Sequence, residues 1–313
     1  MKIKKTADQT AREPLYKRKN FQLYAFVLIA LVLPFTAYVV FTLYPNLLSV
    51  YYSFFKWDGL SEKQFVGVDN FIRMFQDPEI PKALWHNLFL IITTIPLTMI
   101  IALILSDILV HKHFKENRVY KVLYFLPNVF SSVVVSLMWM FVYDGTFGML
   151  NSVLRLLGIP SDINWLGNPN TALACMIPIS VWCNVGFYVV IFTNAMRDIP
   201  KNLYEAAEID GISYFQRFRK ITLPLISGPI GVAILFLALG AIRGYETIMV
   251  MTQGGPAGAT SVIGLYMFKY AFGQMSAGIK NYGYASAVGL LIAVILIAVK
   301  FIVDLLNKNK DEN

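Results

Sequence analysis

The residues best suited to acid–base, nucleophilic or metal chemistry are few in this chain and poorly placed for it. Its three histidines, His86, His111 and His113, fall beside long apolar stretches and never inside one. That leaves no serine–histidine dyad within an apolar stretch and no HExxH zinc site. Cys175 and Cys183 share one stretch and lie about 12 Å apart at helical rise, too far to bridge each other, so they read as small buried hydrophobes. No cysteine or histidine cluster has metal-ligand spacing. A Gly-Lys pair occurs nowhere, and Gly254-Gly255 is too short to cradle a phosphate as a P-loop does. What remains is hydrogen-bonding chemistry. Asn184, Tyr188 and Asn194 sit in one uncharged stretch, the first two on one helical face and the third turned away. Arg243, Tyr245 and Glu246 gather at the end of another. Amides and a carboxylate beside an aromatic face suit a hydroxyl-rich ligand. The same groups have plainer readings. Arg243 and Glu246, three apart on one helix face, can form a local ion pair, and asparagines also join helices to one another.

The elements that must hold these groups follow from composition. Of 313 residues 57% are hydrophobic and 15% charged, against roughly 45–50% and about 25% in soluble domains. A soluble core lacks the interior to absorb so much apolar surface. Six stretches are long enough to cross a bilayer, which takes about 20 apolar residues: 21–41, 88–106, 122–143, 171–196, 224–242 and 284–303. Pro34, Pro96, Pro178 and Pro229 fall inside them, which neighbouring helices in a membrane bundle tolerate. Lys300 is near enough to the end of the last to snorkel. Lysine and arginine are unevenly shared between the two sides. Eighteen of 27 lie in residues 1–20, in the turn after span 2, in the segment after span 4 and in the C-terminal tail. By the positive-inside rule both termini are cytoplasmic. The net charge of +8 is therefore an orientation signal and not a nucleic-acid site. The first span is too long, and lacks the small-residue cleavage site, for a signal peptide. The expected organisation is a basic cytoplasmic N-terminus over 1–20, an all-α six-span membrane domain over 21–306 and a cytoplasmic tail over 307–313.

One cytoplasmic segment, 199–225, reads as two short helices. Pro200 suits a first helical position and the run from Tyr204 to Ile209 is made mostly of helix formers. Gly211 supplies a stop that tolerates positive φ. Ser213 with Gln216 has the spacing of a capping box, and Phe215, Phe218 and Ile221 recur at helical spacing among Arg217, Arg219 and Lys220. Ala206 and Ala207 bury little area for their own sake and would let another surface approach closely. An amphipathic linker lying on lipid headgroups accounts for the same pattern.

Within that segment Glu205-Ala206-Ala207, Asp210-Gly211, Ile221 and Leu223-Pro224 resemble the EAA signature of inner-membrane permeases in binding-protein-dependent ABC importers. Further elements resemble the sugar-permease group of the maltodextrin, glycerol-phosphate and multiple-sugar type. They are Phe65-Val-Gly-Val-Asp-Asn-Phe71, then Leu126-Pro127 with Ser132, Trp139, Gly148 and Asn151. Trp182 with Gly186-Phe187, Thr252-Gln-Gly-Gly-Pro256 and Gly283-Tyr-Ala-Ser-Ala287 complete the set. The resemblance covers nearly everything after residue 40. Ile212 stands where the group usually has alanine, and Arg243 where glutamine is common.

The resemblance implies a type I ABC importer permease fold in a bacterial cytoplasmic membrane. It implies that a coupling loop at 199–224 docks in a cleft of an ATPase dimer, through Glu205, Ala206, Ala207, Asp210, Gly211, Leu223 and Pro224. Glu205 would make a charge-assisted bond there. ATP and Mg would be bound by the partner, with no cofactor in this chain, which is then not itself an enzyme. Glu246 falls where such permeases carry an acidic residue, and the substrate path implied is Asn184, Tyr188, Arg243, Tyr245 and Glu246. The outer loops 45–86, 144–170 and 249–283 would receive an extracytoplasmic solute-binding protein, with Trp165, Gly254, Gly255 and Pro256 as contacts. A second, non-identical permease, membrane lipid and a carbohydrate, oligosaccharide above all, complete the implied partners. The alternative is a self-sufficient ion-coupled transporter. It would want inverted repeats and mid-membrane ionisable groups, and spans 1 to 4 carry no charge.

Overall fold

The computed structural model describes residues 15–111, 117–273 and 280–311. Most of the expected basic N-terminus (1–14), the turn 112–116 with Lys112, His113 and Lys115, and residues 312–313 of the tail lie outside the described residues. So do the side chains of Lys17, Arg18, Lys19, Arg118, Lys308 and Lys310. The chain divides into two compact units, Met1–Tyr51 and Tyr52–Asn313. In the first, α1 (Leu15–Tyr38) runs through a π-helical turn at Val39–Leu43 into α2 (Tyr44–Tyr52). The turn has a local cause. Pro45 has no N–H and its ring crowds the preceding turn, so the Tyr44 N–H reaches back five residues to the Val39 carbonyl.

The second unit opens with a two-stranded antiparallel ribbon, β1 (Phe55–Lys56) and β2 (Gln64–Phe65), with Phe55 opposite Phe65. Helices α3 (Asp69–Gln76), α4 (Glu79–His111), α5 (Asn117–Val129), α6 (Ser132–Val142), α7 (Met149–Leu156) and α8 (Met176–Arg197) follow. After them come α9 (Lys201–Ile209), α10 (Tyr214–Arg217), α11 (Leu223–Leu225), α12 (Ser227–Arg243), α13 (Glu246–Met251), α14 (Ile263–Phe272) and α15 (Tyr282–Asp311). Between α10 and α11 a second π turn at Phe218–Thr222 repeats the logic of the first: the Leu223 N–H reaches the Phe218 carbonyl just ahead of Pro224.

Five helices or helix runs among the described residues are long and apolar enough to cross a membrane. The third expected span is corrected: 122–143 is not one rod but α5 and α6, bent by 97° at a break, and the number of spans is six when this pair is counted as one. Ser131 caps the start of α6, its Oγ accepting the Val134 N–H at 3.3 Å. Helix α4 begins nine residues before the apolar stretch at 88, because the Asp77 carboxylate accepts the Glu79 N–H at 3.0 Å and Glu79 suits a first turn.

Packing centres on α4 and α8, where Ala102 and Phe192 are fully buried and Ser106 Oγ donates to the Val189 carbonyl at 3.1 Å. Helix α5 crosses α8 at Gly186. A Cβ there would stand 1.7 Å from the Tyr124 carbonyl oxygen, so only glycine permits the approach. Asn87 joins three elements, donating to the Ala241 carbonyl and accepting the Ile263 N–H, each at 2.9 Å.

At the outer end the aromatic residues after span 1, which composition alone assigns to an interface belt, build a small platform. Asn70 Nδ2 donates to the Ser53 and Phe55 carbonyls at 2.8 and 2.9 Å. The Trp57 carbonyl accepts the Tyr282 N–H at 2.8 Å. Asp77 accepts the hydroxyls of Tyr266 and Tyr284, and Arg73 lies over the Tyr284 ring at 4.6 Å. Burial pushes the Asp77 carboxyl up, but the two hydroxyls, the Glu79 N–H and Arg73 together hold it below its ordinary value of 3.8. A depressed carboxyl contributes stability above its unfolded pKa and loses it as pH falls through the folded value. Asp77→Asn is expected to lower unfolding stability by about 1–3 kcal/mol at neutral pH. In thermal melts across pH the gap to the unmodified protein closes as pH drops below 3.8; a gap unchanged down to the lowest pH contradicts it.

Candidate functional site

A cavity of about 350 Å³ opens between the long helices. Its polar lining comes from Thr94 and Thr98 of α4, Asn128 of α5, Ser132 of α6, Ser180 and Asn184 of α8, and Glu246 and Thr247 of α13. Leu90, Val135, Met176, Ile179 and Phe236 supply apolar walls. Glu246 is the one Asp, Glu, Lys or Arg among the described residues lining it, and its Oε2 accepts the Ser132 hydroxyl at 3.0 Å. Asn128 donates to the Cys183 carbonyl at 3.2 Å and Asn184 to the Ser180 carbonyl at 2.8 Å. Both helix breaks border this space: Phe130 and Ser132 flank one, Gly244 and Glu246 the other.

The structure divides the five expected path residues. Asn184 and Glu246 line the cavity, while Tyr188, Arg243 and Tyr245 do not. Tyr188 is buried in the α4–α8 core, its ring 6.2 Å from that of Phe192. Tyr245 packs on Phe268 of α14 at 5.2 Å. The shared helix face of Arg243 and Glu246 is corrected: α12 ends at Arg243, Gly244 turns to extended backbone, and Glu246 starts α13. No ion pair joins them among the described residues. Ser132, Asn128, Thr94 and Thr98 escape the sequence reading as wall residues. Ser132 stands in a recognisable motif, but its partner is 114 positions away.

At the basic end α9 stops at a Schellman turn. The Ile212 N–H reaches the Ala207 carbonyl at 2.9 Å, the Gly211 N–H reaches Glu208 at 3.1 Å, and Gly211 has φ +70°. The Gln216 side chain accepts the Ser213 N–H at 3.2 Å, the return half of a capping box. Glu205, Ala206, Asp210 and Gly211 are exposed, as is Pro224, and Leu223 is half-buried. Ala207 differs from its neighbour: at 4% exposure it is packed inward, so Ala206 alone of the pair offers a close surface. The helical repeat puts consecutive residues 100° apart, which the motif by itself does not resolve.

On the outer side Trp165 is half-buried and its indole N–H donates to Asn151 Oδ1 at 2.8 Å. Asn151, fully buried, also accepts from Ser161 at 2.7 Å and donates to the Gly145 and Ile163 carbonyls. The polar handle of Trp165 is thus spent on holding its own loop. In the turn at 252–260 Gly254 is buried, and Gly255 and Pro256 are half-buried. Lys269 Nζ donates to the Gln253 carbonyl at 2.6 Å, and Thr252 and Thr260 hydroxyls meet at 2.8 Å. Among the described residues no group of three His, Cys, Asp or Glu could hold a metal ion.

A bundle with broken helices around a polar cavity, and an exposed helical turn at its basic end, defines a membrane transport subunit. The chain belongs to the family of binding-protein-dependent transport system inner membrane components, whose model matches residues 80–311. It is 32% identical over 308 residues to a diacetylchitobiose uptake system permease of Streptomyces coelicolor, covering 94% of this chain and 86% of that one. It is 32% identical over 243 residues to a trehalose/maltose transport system permease of Thermococcus litoralis, covering 76% and 78%. In fold it is similar to a chain of a bacterial ABC transporter that imports the acidic polysaccharide alginate, with TM-score 0.78, 21% identity and coverage of 94% and 98%.

Gly211 sits in the left-handed region of backbone conformation. A left-handed residue with a Cβ is strained by about 1–2 kcal/mol, and proline, fixed near φ −65° and without an N–H, cannot form this turn at all. Gly211→Ala is expected to lower transport partially and Gly211→Pro to abolish it, with membrane insertion unchanged. Transport by Gly211→Pro at the unmodified rate, measured at equal protein level, contradicts the assignment.

Proposed function

We propose that this chain is the permease subunit of an ATP-driven importer for carbohydrate, oligosaccharide above all, across the cytoplasmic membrane. It works beside a second, non-identical permease, under an extracytoplasmic solute-binding protein and above a cytoplasmic ATPase dimer that holds the ATP and Mg. The observation that carries this reading is the pairing, in one chain, of a hydroxyl- and amide-lined cavity with an exposed helical turn at the opposite, basic end. The disaccharides named for the two relatives support the substrate class. The neighbouring structure solved with an alginate pentasaccharide-bound periplasmic protein supports the binding-protein partner.

The division of labour follows from chemistry. Glu246, already oriented by Ser132, accepts hydrogen bonds from sugar hydroxyls. Asn184, Asn128 and the threonines of α4 exchange hydrogen bonds weak enough to let a substrate move on, and Phe236 offers an apolar face to C–H surface. Tyr188 and Tyr245 act behind this wall, and Arg243 is exposed at the end of α12. On the cytoplasmic side Glu205 bonds a cation of the ATPase and Ala206 admits its surface. Asp210, Gly211, Leu223 and Pro224 set the angle of the loop. The binding protein rests on the turn at 252–260, with Trp165 shaping the adjoining loop from within.

Co-expression with the partner permease, ATPase and binding protein tests the whole. Hydrolysis stimulated by carbohydrate-loaded binding protein is expected, and uptake by this chain alone overturns the reading. Glu246→Ala is expected to lower uptake about 10- to 100-fold, the equivalent of a hydrogen bond to a charged group. Glu205→Lys should lose both binding-protein-stimulated hydrolysis and uptake. Full stimulation with normal co-purification of Glu205→Lys removes Glu205 from the contact.

A further inference from the structure

Among the described residues one Asp or Glu is buried, and it belongs neither to the cavity nor to the exposed face of the coupling loop. Asp107 stands four residues from the end of α4 and is only 6% exposed. A carboxylate buried beside apolar helices is unfavourable unless it is paired and hydrogen-bonded. Its partners are therefore informative. Its Oδ2 accepts the Tyr214 hydroxyl, which comes from the segment just beyond the Gly211 turn. Its Oδ1 lies 3.1 Å from His111 Nδ1. The His111 ring in turn meets two tyrosines edge-on, Tyr204 at 5.3 Å and Tyr214 at 5.7 Å.

Tyr204 carries the connection further. It projects from α9, the coupling helix itself, and its hydroxyl lies 2.9 Å from Thr222 Oγ1. Thr222 is fully buried at the foot of the fifth span. On the outside Arg217 and Glu208 pair at 3.5 Å across the same turn. The coupling loop is thus fastened through two tyrosine hydroxyls, one to span 2 by way of Asp107 and one, by way of Thr222, to the π turn at its own end that runs into span 5. Both of those spans reach the cavity higher up, α4 with Thr94 and Thr98 and α12 with Leu237 and Gly240. A rigid helix moved at its foot moves at its cavity-lining turn, and a loop tied only by apolar contact could slide instead.

We propose that Asp107 is a positioning residue for energy coupling. By holding Tyr214 at the start of α10 it makes the second half of the coupling loop and span 2 move as one body, so that motion imposed on the loop reaches the cavity wall. This rests on the importer reading above. The test uses the assembled importer in proteoliposomes with carbohydrate-loaded binding protein, and reads carbohydrate transported per ATP hydrolysed. Tyr214→Phe removes one hydroxyl at constant shape, and Asp107→Asn removes the charge that receives it. Each is expected to lower the ratio at least fivefold at unmodified complex yield, and the double variant to lower it no further than the worse single. Tyr204→Phe, on the span 5 tie, serves as an independent second variant and is expected to lower the ratio as well. Unchanged ratios overturn the proposal. So do uptake and hydrolysis falling in equal proportion with less assembled complex, since that is the mark of a purely structural contact. If the unmodified importer shows no stimulated hydrolysis, the importer reading itself fails and this one with it.

Discussion

An unpaired backbone N–H or C=O in hydrocarbon costs several kcal/mol, and this cost dictates where the chain can leave the helix. Among the described residues of the second unit the membrane-spanning helices depart from it at two places, between α5 and α6 and between α12 and α13. Both breaks border the same polar cavity. A polar cavity is a setting in which backbone groups freed by a break can be satisfied. Each break also serves to aim a side chain. Ser132 and Glu246 open the helices that follow the two breaks, and they meet each other across the cavity. The two helix breaks and the polar cavity thus coincide.

The same economy explains the buried polar groups elsewhere. Asn70, Asn87 and Asn151 each satisfy backbone groups that loops and helix ends would otherwise leave unpaired. Asp77 gathers two tyrosine hydroxyls from α14 and α15 onto the start of α4. Several of these positions belong to the motifs that make the sequence recognisable. Asn70 lies in the element at 65–71, Asn151 in the one that begins at Leu126, and Tyr284 in the one at 283–287. They are held in place by tertiary hydrogen bonds within the chain, whereas the motif at 205–211 mostly faces outward. Gly186 belongs to the first kind, since α5 lies against it too closely for any side chain.

Much of this was legible from residue types because the signals are local. A bilayer-spanning helix announces itself by length and lack of charge, a Schellman turn by its glycine, and a capping box by Ser213 and Gln216. The two π turns, just ahead of Pro45 and Pro224, came only from the backbone. Other features were not legible. Arg243 and Glu246 look like one helical face until Gly244 breaks it. Trp165 looks like a surface anchor until Asn151 takes its N–H. Tyr188 has the right spacing to stand beside Asn184, yet it turns into the core.

The sequence by itself determined the class of solvent, the apolar stretches, the expected orientation by its lysines and arginines, and the helical turn at 201–217. Each depends on neighbours a few residues apart or on summed composition. Only the tertiary structure decided which polar groups share a cavity, that Ala207 faces inward while Ala206 does not, and that Asp107 receives Tyr214. Those outcomes depend on pairs more than a hundred positions apart, or on the rotation of a helix about its axis, which only packing against a neighbour can set.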